Sequence, residues 1–151
     1  MHIIGIDPGP TTCGVVMYDT VTRTVEYAAP DVPVSTAVGL PYSMPLYVVA
    51  CERVQSYGIA GASLLETAEV YGRVQQSALL NGSTFVGLYR RDVLASLDVT
   101  GKGNRDSLVR QALLQMHGGS SASKKGGQLH GVTSHAWQAL AVAVAASRLR
   151  A

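Results

Sequence analysis

Asp7 is the first residue whose setting points to chemistry. It closes the apolar run Ile3-Ile4-Gly5-Ile6 and is followed by Pro8-Gly9-Pro10, after which Thr11 to Tyr18 is again rich in β-branched residues. The two runs read as strands joined by a turn, which fixes the backbone of Asp7 at the end of a core strand. A carboxylate held there is costly to bury unless a cation or hydrogen-bond donors compensate it, and a metal site is one reading. A turn Asp bonded to its own backbone is the other. Glu52 repeats the pattern, closing the apolar run Leu46-Tyr47-Val48-Val49-Ala50-Cys51. Two buried strands that each run into an acid suggest two carboxylates meeting at one edge of a sheet; a salt bridge from Glu52 to Arg53 or another base is the structural alternative. Near the C-terminal end, Thr133 and Ser134 precede an alanine-rich pattern in which His135 and Gln138, three apart, share the first turn of a helix. A lone His at a helix start is more often a cap or a solvated residue than a ligand; beside two acids it becomes a third candidate.

These residues need elements to position them. The order read from periodicity is strand 2–7, strand 12–19, strand 23–29, an irregular Pro-rich stretch 30–45, strand 46–52, helix 60–80, strand 84–88, helix 90–97, helix 104–117, a flexible stretch 118–131 and helix 133–149. This is an α/β chain. Helix 60–80 sets Glu66, Glu69, Arg73 and Gln76 on a solvated side and Leu65, Ala68, Gly72 and Leu79 on another. Helix 104–117 has Asn104 as its cap, and its start offers Lys102, Arg105 and free N–H groups to a phosphate. Asp106 reads as a first-turn acid favoured by the helix dipole, with a ligand role as the lesser reading. Gly118 to Gly127 is too rich in Gly and Ser to pack by its pattern, so Lys124 and Lys125 sit in a mobile phosphate-contacting loop or a plain linker.

At 151 residues with 47% hydrophobic content, the chain predicts a single domain, 1–151, around one core. No stretch reaches membrane-span length and no signal-peptide pattern opens the chain. Cys13 and Cys51 lie in strand patterns without paired spacing, so free thiols in a reducing compartment, the cytoplasm, are expected. The charge is uneven: residues 1–80 carry three arginines against seven carboxylates, and residues 81–151 carry nine Lys and Arg against three. An acidic metal-binding half followed by a basic half suits a polyanion, although surface solvation alone yields such splits too.

Four stretches carry a resemblance: Ile4-Gly5-Ile6-Asp7-Pro8-Gly9, Cys51-Glu52-Arg53-Val54-Gln55-Ser56-Tyr57-Gly58, Gly103-Asn104-Arg105-Asp106, and Ser134-His135-Ala136-Trp137-Gln138-Ala139-Leu140-Ala141. In order and spacing they resemble the RuvC-type Holliday junction resolvases of the RNase H-like superfamily, in a short, phage-type form. The resemblance implies an RNase H-like fold, a mixed five-stranded sheet with three antiparallel and then parallel strands, flanked by helices. It implies a structure-selective endonuclease that hydrolyses phosphodiester bonds of branched DNA in recombination and repair, working as a homodimer that pairs through the region of helix 60–80. If phage-encoded, it would act in the host cytoplasm. It also implies two divalent cations, Mg²⁺ or Mn²⁺, with Asp7 as bridging ligand, Glu52 as a ligand and His135 as a ligand or the base that orients the attacking water. Arg53 and Tyr57 are the candidates for steering or stacking on the cut strand, with Lys102, Arg105, Lys124 and Lys125 on phosphates.

The chain departs from the family in its last helix, where family members commonly place two Asp three apart, or His then Asp in the RuvC domains of RNA-guided nucleases. Gln138 occupies the second position here. An amide can offer a neutral oxygen to a metal but no charge, and with His135 it makes Mn²⁺ the more comfortable ion. Ser107 likewise stands where the family places a Lys, a gap that Lys102 could fill in space. The rival reading is a protein that binds branched DNA with weak or no catalysis, which Gln138 favours. An actin-like ATPase would need a second lobe for which this length leaves no room.

Overall fold

A computed structural model describes residues 1–150. Strands form where β-branched and apolar residues run together. They are β1 (His2–Asp7), β2 (Thr12–Asp19), β3 (Thr24–Pro33), β4 (Val48–Arg53) and β5 (Phe85–Tyr89). They build one sheet in the order β3-β2-β1-β4-β5. The first three are antiparallel neighbours, whereas β4 pairs parallel with β1 and β5 parallel with β4. This is the RNase H-like arrangement of three antiparallel strands followed by parallel ones.

Alternation along the strands divides the core between the two faces of the sheet. Ile3, Val16, Tyr18, Val48, Ala50 and Leu88 face the helices α3 (Arg90–Ser96), α4 (Arg105–Met116) and α5 (Ala136–Arg150). Ile4, Ile6, Val15, Val49 and Cys51 face α1 (Val34–Ser43) and α2 (Ala62–Leu80). Cys13 and Cys51 are buried free thiols, as their pattern predicts. Among the described residues, no helix is long and apolar enough to cross a membrane.

Every residue of helix α5 from Ala136 to Ala146 except Gln138 is buried, where an amphipathic helix would bury a single face. Its alanines let it lie close against β1, where Gly5 removes the remaining obstacle: a Cβ there would fall on the carbonyl oxygen of Ala139. The helix starts at Ala136, later than the expected 133, because Ser134 adopts a left-handed conformation, φ 45°, that breaks the helical path. His135 therefore sits in the turn that enters the helix, and its carbonyl accepts from the N–H of Gln138 at 3.1 Å.

Two stretches expected to be irregular are ordered. Residues 34–43 form α1 even with Pro41 inside it. Docking supplies what the local sequence lacks: Ser77 of α2 donates to the Val38 carbonyl at 2.6 Å, and Asn81 donates to the Pro41 carbonyl. The Gly/Ser-rich stretch 118–131 is not a mobile loop either. It contains a 3₁₀ turn at Ser120–Ser123, buries Ala122 and Leu129 in the core, and hydrogen-bonds to the edge strand through the Gln128 carbonyl and Val25 N–H, 2.9 Å. Helix α2 also turns the other way from a simple apolar-in reading. Val70, Val74, Ser77 and Ala78 face inward, leaving Leu65 and Leu79 61% and 57% exposed.

His117, at the end of α4, is buried with its Nδ1 2.7 Å from the Leu113 carbonyl and its Nε2 3.0 Å from the Tyr18 hydroxyl. A carbonyl only accepts, so Nδ1 carries the proton and the tyrosine donates to Nε2. Burial, helped by the Arg23 charge and opposed by the Leu113 hydrogen bond, holds the pKa of this imidazole below its ordinary value.

Candidate active site

Strand parity decides where the acids point. Ile6 of β1 lies beside Cys51 of β4, so the next residues, Asp7 and Glu52, end adjacent parallel strands at the same level. Gly5 and Ala50, two positions earlier, face α5, and Asp7 and Glu52 therefore do so as well. Strand β5 is in step: Arg53 lies beside Tyr89, and Arg90 follows at the same edge. Helices α4 and α5 begin over this edge. Asn104 caps α4, its Oδ1 accepting from the N–H groups of Asp106 (3.1 Å) and Ser107 (3.3 Å). His135 enters α5 above β2, and a Cβ on Gly14 would stand only 2.5 Å from the His135 carbonyl oxygen. Gly14 is the β2 partner of Asp7, so its missing side chain is what lets the imidazole reach that carboxylate.

Two linked groups result. His135 Nδ1 is 3.4 Å from Asp7 Oδ2. Arg90 Nη1 is 3.4 Å from Glu52 Oε2 and donates to Gln138 Oε1, while Arg90 Nη2 donates to Asp106 Oδ1 at 2.7 Å. Gln138 Nε2 donates to the same Asp106 oxygen at 3.1 Å. Burial raises the pKa of Asp7, with His135 and Arg90 pulling against it. Burial likewise raises Glu52, opposed by Arg90 and reinforced by the charge of Asp7. Both carboxylates are thus under-compensated by the protein itself, which is the electrostatic condition for taking up a cation.

The donor chemistry around Asp7 and His135, a carboxylate and an imidazole at an open edge, fits a divalent ion. Asp7, Glu52 and His135 are nevertheless not drawn into one tight cluster. Among the described residues the three ligand-type side chains whose ligand atoms lie within 4.8 Å of one another are His2, Asp19 and Glu26, at the other end of β1. There Asp19 is already engaged by the Val21 N–H at 3.0 Å and the Thr22 hydroxyl at 2.8 Å.

Open grooves meet at the acidic edge. One, of about 320 Å³, is lined by Asp7, Glu52, Arg53, Tyr57, Leu64 and Arg90. Another, of about 500 Å³, runs past Asp106, Ser107, Arg110, His135, Trp137 and Gln138. The Arg53 guanidinium lies 5.1 Å from the centre of the Tyr89 ring and that of Arg110 5.1 Å from Trp137, so both are held by cation–π contact at the rims. Tyr57 is 83% exposed. Arg105 instead lines a separate depression with Arg91, Leu94 and Val99, and Lys102 is exposed in the loop before α4. Lys124 and Lys125 follow the far end of α4, about 15 Å of helix away from Asp106 and at the opposite end of the sheet from Asp7. They do not lead into the site.

Arg90 escaped the sequence reading, and so did the link from Asp106 to Gln138. The sequence signal is only that Arg90 directly follows a strand; that strand ends at Tyr89, beside Arg53 and one residue past the level of Glu52. The direction of Arg90 depends on the pairing of β5 with β4, which no local pattern reveals.

No protein-family model and no curated protein matches the sequence. The fold does have solved counterparts. The Thermus thermophilus RuvC structure superposes with a TM-score of 0.68 at 18% identity, covering 99% of this chain and 95% of that one. T. thermophilus RuvC in complex with Holliday junction substrate gives a TM-score of 0.67, also at 18% identity, over 99% and 94%. At such identity the likeness establishes a shared fold over essentially the whole chain.

Proposed function

We propose that this protein is a divalent-metal-dependent endonuclease that cuts branched DNA, with the four-way junction as its preferred substrate. The observation that carries the reading is the pair of desolvated carboxylates, Asp7 and Glu52, side by side on one face of a sheet edge with His135 against the first of them. The RuvC-like fold, seen elsewhere in a protein bound to Holliday junction DNA, supports the substrate class.

Asp7 and His135 would hold the metal, with Glu52, paired to Arg90, on the adjacent strand beside them. When bound, a divalent ion supplies Lewis-acid polarisation of a phosphate oxygen and a water of lowered pKa. His135 Nδ1 stands 3.4 Å from Asp7 Oδ2, so the two side chains would take the ion from adjacent positions, and the imidazole serves as a ligand rather than as the base. Arg53 and Tyr57 flank Glu52 in its groove and are suited to hold a strand by charge and stacking. The imidazole favours Mn²⁺ over Mg²⁺. A twofold dimer would cut two strands symmetrically, and the exposed apolar side of α2, with Leu65 and Leu79 over Gly72, is the surface suited to pairing. Binding without turnover remains the second reading, favoured by a specific observation: the Gln138 oxygen is already taken by Arg90.

The test compares a labelled four-way junction, a Y-fork and a linear duplex with Mg²⁺ or Mn²⁺, with Asp7→Asn as the blank. Metal-dependent nicking of the junction, faster with Mn²⁺, is expected. Uniform cleavage of all three substrates would leave a nuclease and remove the junction preference, equal rates with both ions would remove the ligand argument, and tight binding without product would select the second reading.

A further inference from the structure

Arg90 is the first residue of α3, and its side chain, 23% exposed, reaches across the sheet edge to three elements at once. Its two terminal nitrogens engage Glu52 on β4, Asp106 on α4 and Gln138 on α5. Two carboxylate oxygens and one amide oxygen are what a hard divalent ion takes as ligands, and here all three are turned toward one planar guanidinium. Gln138 fits this arrangement better than an acid would. Its oxygen accepts from Arg90 while its NH₂ donates to Asp106, and the reverse rotation would aim NH₂ at the guanidinium. A carboxylate at 138 would instead face Asp106 as a like charge.

We infer that Arg90 occupies the place of a second cation, so that the site takes one divalent ion at Asp7 and His135 and uses the guanidinium as its other positive charge. The inference rests on the nuclease reading above. Arg90 then does by hydrogen bonding and fixed charge part of what an ion would do, offering donors to negative charge that develops on a phosphate or leaving oxygen near Glu52. It cannot generate hydroxide, so water activation stays on the Asp7 side.

Mn²⁺ binding to the whole protein, with and without nicked product DNA, tests this through stoichiometry by calorimetry and the paramagnetic resonance spectrum. The wild type is expected to bind one Mn²⁺ per chain with the hyperfine pattern of an isolated ion, whereas two ions about 4 Å apart would couple by exchange. Arg90→Ala, which frees the three oxygens, is expected to gain a second Mn²⁺ and the coupled spectrum, and Arg90→Lys is expected to stay at one. A coupled spectrum in the wild type, in which the ions displace Arg90, would overturn the inference while leaving the nuclease intact. So would a folded Arg90→Ala that still binds a single ion. If Arg90→Ala fails to fold, the wild-type spectrum decides alone. A wild type that binds no Mn²⁺ and yields no product removes the nuclease reading, and this inference with it.

Discussion

Gly14→Ala is the sharpest probe of how the site is assembled, because it touches no charged group. A Cβ at residue 14 would lie 2.5 Å from the His135 carbonyl oxygen, 2.7 Å from its carbonyl carbon and 3.1 Å from its Cβ. Ordinary carbon contacts begin near 3.5 Å, so the backbone of His135 must retreat by about 1 Å. The imidazole now stands 3.4 Å from Asp7 Oδ2 and would lose that contact. A misplacement of about 1 Å can cost on the order of 10²-fold in rate. The overpacking itself costs about 1–3 kcal/mol, and each kcal/mol lowers Tm by about 2–4 °C for a chain of this size. Junction cleavage with Mn²⁺ should therefore fall about 10²-fold, as His135→Ala also should, while thermal melting shows a folded protein. A Gly14→Ala enzyme with the wild-type rate and melting curve would refute the seating of His135 on β2. A variant that lost its rate while His135→Ala kept it would refute the role of the imidazole.

Asp7→Asn should abolish cleavage and raise Tm in metal-free buffer at neutral pH. The pKa of Asp7 is raised in the folded state, so its carboxyl favours folding below the unfolded value near 3.8 and costs stability as pH rises through the folded pKa. The gain should shrink toward pH 4 in a series of melts, and a loss of stability at neutral pH would show that His135 and Arg90 outweigh burial. His117 behaves in the opposite sense: its folded pKa is lowered, so its contribution is intact above about 6.5 and lost as pH falls below that value. His117→Gln should flatten the decline of Tm between about pH 7 and 5, and an unchanged slope would remove His117 as the cause. Ser134→Gly should stabilise the protein by about 1 kcal/mol, since Ser134 holds a left-handed φ of 45° that glycine adopts freely. A lower melting temperature for that variant would mean that the serine side chain contributes more than its strain.

By itself the sequence determined the strand runs that carry Asp7 and Glu52 and the helix whose first turn carries Gln138, with His135 just before it. These features are legible because they are local: β-branched runs, a Pro-Gly turn and an alanine-rich helical period each impose a backbone path within a few residues. Only the tertiary structure decided that residues 34–43 are helical with Pro41 inside, because the compensating donors, Ser77 and Asn81, lie about 40 positions further along the chain. The same holds for the order in the Gly/Ser-rich stretch, which comes from burying Ala122 and Leu129 against distant elements. It holds above all for Arg90. Four elements that meet at one sheet edge direct its guanidinium to Glu52, Asp106 and Gln138, and strand pairing together with helix docking, rather than any local pattern, fixes where a long flexible cation finds its partners.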